Sequence, residues 1–200
     1  MPPFPKLESM AGMNKLLRLA TALSCLMVAG LLVAQTAPAP QPSAPDPLAN
    51  MPSEAEIGEL TAKAAEKLEA FQKTLDSVKP FLDKADPSAY KKDSEAIDTG
   101  RAILAALKKN GRSAYGLVGL LTTLDDLDLD ATQDSSAILI FGTRAMADGR
   151  NPPDGMTTAV LMLTSAASSL YDISELVMHA TLRFVSGEEA VLSQVFADKK

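Results

Sequence analysis

The densest cluster of possible metal ligands is the acidic run Asp125–Asp134 (DDLDLDATQD). Asp126, Asp128 and Asp130 take the first, third and fifth places of a calcium-binding EF-hand register, where side-chain oxygens ligate the ion. The register then fails twice. Its sixth place needs glycine for a sharp turn and holds Ala131, and its twelfth needs a bidentate glutamate and holds Ala137. The run therefore reads as a solvated loop between two helices, with Asp134 favouring the start of the second. A looser calcium site through Asp126, Asp128 and Asp130 is the alternative.

The other chemistry-bearing residues are sparse. His179 is the one histidine, and it follows Met178; both residue types ligate copper or haem iron. A non-covalent haem would need His179 with a methionine such as Met51, Met146 or Met162. Without such a partner, His179 is a solvated or satisfied side chain and the methionines fill the core. Gly111–Gly116 (GRSAYG) is one residue too long for a nucleophile elbow, and Ser88–Lys91 (SAYK) lacks the companion motifs of its enzyme class. Asp125 with Asp126, and Glu188 with Glu189, are neighbours in sequence. On a helix such neighbours diverge by about 100°, so they do not converge on one substrate. No dinucleotide or phosphate loop is present. No catalytic residue and no cofactor is expected.

The elements that would carry these residues are helical. Ser53 and Glu56 fit a capping box at the start of a domain spanning residues 53–200. Ile57, Leu60, Ala64, Leu68, Phe71, Leu75 and Val78 then recur in steps of three and four, as one face of a helix does. Pro80 should end or kink that helix. A second helix runs from Asp86-Pro87 to Asn110-Gly111. A third starts at Ser113 and carries Tyr115, Val118, Leu121 and Leu124. A fourth starts at Asp134 or Ser135, carries Ile138, Phe141 and Ala145, and closes at Gly149 and Pro152-Pro153. A fifth runs from about Gly155 to Phe184, and its uncharged stretch Met156–Tyr171 suits a central helix surrounded by others. A short sixth follows Ser186, with Val191, Leu192, Val195 and Phe196 as its stripe. Ala137–Phe141 (AILIF) is the one stretch that also reads as a strand. The expected class is all-α, an antiparallel bundle of five or six helices with short connections.

The N-terminus reads as a targeting segment. Lys15 and Arg18 precede an uncharged run, Leu19–Ala34, of 16 residues. A basic start, an apolar run and small residues make a secretory signal peptide over residues 1–34, cleaved after Ala34, with Met13 as the more usual start. The run is shorter than the roughly 20 residues of a spanning helix. Retention as an uncleaved membrane anchor, or lipidation at Cys25, are the alternatives. Residues 35–52 form a Pro/Ala-rich linker; Thr36–Pro52 holds six of the 13 prolines.

Charge narrows the partners. The chain holds 19 basic and 25 acidic residues. Cleavage would remove Lys6, Lys15, Arg18 and Glu8, leaving 16 basic and 24 acidic residues and a net charge of −8. That balance disfavours nucleic acid and anionic membrane surfaces as partners. Membrane contact is expected only through the N-terminal segment, if it stays uncleaved. The sequence thus leads to an exported, periplasmic or secreted cell-envelope protein, a non-enzymatic helical module that binds a protein partner. A ligand-, metal- or haem-binding bundle, and an enzyme with an unrecognised site, are the rival readings.

Overall fold

The computed structural model describes residues 50–111 and 113–197. The expected signal peptide, residues 1–34, and nearly all of the expected linker lie outside them. Four α-helices follow in order: α1 (Glu54–Ala85), α2 (Ala89–Asn110), α3 (Ala114–Ala147) and α4 (Met156–Ala197). There is no strand among the described residues, and Ala137–Phe141 lies inside α3.

Local chemistry sets most of the helix ends. The Ser53 hydroxyl accepts from the Glu56 amide at 3.2 Å, and Glu56 accepts from the Ser53 amide at 2.7 Å, completing the capping box of α1. In the turn after α1, Asp86 accepts from the Ser88 amide and hydroxyl. Gly111 stops α2 with φ 74°, a left-handed conformation that glycine adopts without steric cost. Ser113 caps α3 by accepting from the Gly116 amide at 3.3 Å.

Among the described residues the helix count is four, not five or six, because two expected breaks do not occur. α3 runs without interruption through Asp125–Asp134. Leu120, Leu124, Leu127, Ala131 and Ile138 keep helical spacing across the acidic run, and all are buried. Asp134 and Ser135 are buried mid-helix positions rather than caps. Likewise α4 passes through Ser186 and Gly187 to Ala197. Pro80 does not end α1, which continues to Leu82 in the core. The apolar phase of α3 also differs: Tyr115 and Val118 face out, and Leu117 and Leu120 are buried instead.

The helices alternate in direction. α1 meets α2, α2 meets α3, α3 meets α4, and α4 returns to α1; α1 also meets α3 across the diagonal, while α2 and α4 do not meet. α4 is therefore not a central helix surrounded by others. It packs on two neighbours and leaves its outer side to solvent, which is why its apolar stretch is interleaved with Thr and Ser. No described helix is long and apolar enough to cross a membrane. At its two ends α4 is locked by glycines. A Cβ at Gly142 of α3 would collide with Met156, and one at Gly187 of α4 would collide with Met51. Arg183 adds a hydrogen bond to the Asn50 carbonyl at 2.9 Å and an ion pair with Glu56 at 3.0 Å. α2 is the short member, about 33 Å against about 51 Å for α3.

Candidate functional site

The residues singled out in sequence are dispersed. Asp126 and Asp128 lie on α3 among other side-chain interactions, so they do not line a loop. Asp130 is buried and accepts from Lys92 Nζ of α2 at 2.6 Å. On this helix Asp126 and Asp130 share a face one turn apart, while Asp128 lies about 160° round the axis from both.

His179 and Met178 are exposed on α4. His179 lines a shallow groove of about 280 Å³ between α1 and α4, with Leu60, Leu176 and Arg183. The methionines proposed to join it are elsewhere. Met51 packs at Gly187, Met162 lines a separate groove beside Phe71, and Met146 is exposed near the end of α3. Among the described residues no three or more His, Cys, Asp or Glu side chains are grouped to hold a metal ion. The serines of the enzyme-like strings serve as local structure. Ser113 caps α3, and the Ser88 hydroxyl donates to Asp86 at 2.7 Å. Lys91 pairs with Glu95, away from Ser88.

The most unusual chemistry belongs to a residue that sequence reading passed over. Asp93 is 1% exposed, on the buried stripe of α2 with Ala89, Ile97, Gly100 and Leu104. Across the interface stands Asp134 of α3, 6% exposed. Both oxygens of Asp93 and Oδ2 of Asp134 have no donor when the two groups are ionised. The adjacent cation, Lys92, is already bound to Asp130. Burial, then the hydrogen bond and charge of Asp134, push the Asp93 carboxyl up to about 8. Burial also raises Asp134, with the charges of Asp130 and Asp86 adding to it, while a hydrogen bond from Asp93 and the charge of Lys92 act the other way. A single proton reconciles these facts. Neutral Asp93 donates to ionised Asp134, and one buried charge remains instead of two. The sequence signal was a carboxylate four residues before Ile97, on a core-facing register. Its partner, on another helix, has no signature in sequence.

The surface carries a second feature. Tyr171, Met178, Leu182 and Leu192 are exposed along one side of α4, with Val185 half-buried between them. Their spacing of three, four and seven residues puts them on one side of the helix, in a row that Glu188 and Glu189 interrupt between Val185 and Leu192. Asp172 and Glu175 lie beside the row on the same helix. In comparisons with known proteins, no family model, no curated protein and no solved structure matches the chain.

Proposed function

We propose that this chain is an exported cell-envelope protein that works by binding another protein, with the outer ridge of α4 as its contact face, and that it is not an enzyme. The observation that carries the reading is the exposed row Tyr171, Met178, Leu182 and Leu192. A surface helix of a self-contained bundle has no internal use for a repeated apolar outer stripe, whereas helix-in-groove or helix-on-helix recognition requires one. The acidic residues within and beside the row suit a partner helix that carries basic side chains among its apolar ones. The N-terminal reading supplies the compartment, since a basic start followed by an uncharged run directs export.

The test is site-specific photo-crosslinking in intact cells. A photoreactive residue at Leu182 or Tyr171 should give one discrete adduct, and the same residue at Ala105 on the exposed side of α2 should give none. Leu182→Asp should weaken the adduct formed from Tyr171 without lowering the amount of folded chain. No adduct at either ridge position, or equal adducts from α2, would refute the reading.

A further inference from the structure

We propose that Asp93 and Asp134 form a single-proton site that pins α2 to α3, and that loss of this proton releases the first half of α2. The two carboxyls face each other from opposite helices in a site closed to solvent. As two anions they have no donor to share, and three of their four oxygens are orphaned. One proton supplies the missing donor. No charged group around the pair supplies it. On α2, Lys92 is held by Asp130 of α3 at 2.6 Å, so the nearest cation is spent and a third carboxylate is added. Asp86, in the turn before α2, contributes further negative charge. On α1, Asp76 accepts from the Tyr90 hydroxyl at 2.8 Å, and Lys79 is paired with Asp83 and sits over the Tyr90 ring. On α4, the uncharged stretch Met156–Tyr171 offers no ion at this level of the bundle.

The structure also shows which element would yield. Asp93 lies one turn inside the start of α2. Ser88 caps that start without a side-chain hydrogen bond, and no acidic residue lies in the first turn to favour the helix dipole. The other end of α2 is anchored by buried Leu104 and Leu107. When both carboxyls ionise, hydrating them requires water to enter at the start of α2, which is held by the Asp86–Ser88 turn rather than by buried leucines. Deprotonation belongs to the neutral to weakly alkaline range, since burial and Asp134 hold the proton on Asp93 up to about pH 8.

The experiment uses the full chain. Carboxyl-carbon NMR should show the Asp93–Asp134 pair titrating with one apparent midpoint in the neutral to weakly alkaline range. Asp93→Asn supplies a permanent amide donor to Asp134 and should abolish that titration. Amide exchange over Ala89–Gly100 should be about tenfold faster in the wild type than in Asp93→Asn at pH ~9, and alike at pH ~6. Asp134→Asn should reproduce the effect if Asp93→Asn folds poorly. The proposal is overturned if both carboxyls titrate below pH ~5, or if wild type and variant exchange in the same ratio at both pH values. It is equally overturned if millimolar calcium protects α2 in the wild type alone, because the pair would then be a cation site.

Discussion

Gln133 is exposed on α3, within the stretch whose composition suggests a loop. In a continuous helix its amide donates to the Leu129 carbonyl. Gln133→Pro removes that donor and drives the proline ring against the same carbonyl, at a cost of about 3 kcal/mol or more. In a solvated loop the same change costs within about 0.5 kcal/mol. For a domain of this size each kcal/mol moves the melting temperature by about 2–4 °C, so the drop should be about 6–12 °C. Gln133→Ala is the reference, because it keeps the amide and suits a helix. Thermal unfolding followed by far-ultraviolet circular dichroism reads the difference directly. If Gln133→Pro melts within about 2 °C of Gln133→Ala, the acidic run is not helical and the Asp93–Asp134 pairing loses its scaffold.

Three further outcomes follow from the packing and the charges. Leu127 is fully buried within the acidic run, so Leu127→Ala should cost about 2–5 kcal/mol by urea unfolding, whereas a loop leucine would cost far less. Ser53→Ala should cost about 1 kcal/mol by removing one half of the capping box, measured by the same method. The unfolding midpoint should fall as pH rises from about 4 to about 8. Over that window the folded chain keeps the proton on Asp93 that the unfolded chain has released, and the slope reaches at most about 1.4 kcal/mol per pH unit. Asp86, held below the usual range by its Ser88 hydrogen bonds, has the opposite sign and favours the fold only above acid pH. A midpoint that is flat or rising across pH 5–8 would contradict the shared proton.

What the sequence made legible was local. The stripe from Ile57 to Val78 is the buried face of α1, Ser53 and Glu56 do form its capping box, and Gly111 and Gly149 both take positive φ at helix ends. The acidic run reads as a break in α3 because aspartate has modest helix propensity and neighbouring carboxylates repel. The fold answers that repulsion from outside the segment, through Lys92 on Asp130 and through Asp93 beside Asp134. Neither partner is near in sequence. Gly187 looks like a helix breaker until Met51 is seen packed against it. The candidate site was the least legible part, since Asp93 is an ordinary polar letter until burial and a facing carboxylate give it chemistry.

The two glycines that meet methionines, Gly142 and Gly187, have opposite meanings for how the chain finds its fold. Gly142 and Met156 straddle a single loop, so the α3–α4 hairpin closes at small entropic cost and belongs early in folding. Gly187 and Met51 come from opposite ends of the described chain, so their contact closes the ring last. Overpacking each site with valine costs stability in both cases, by about 1–3 kcal/mol. In stopped-flow experiments Gly142→Val should slow refolding, while Gly187→Val should chiefly accelerate unfolding. The lifetime of the native bundle is then governed at the α1–α4 seam, where the two ends of the described chain meet with no short loop to hold them together.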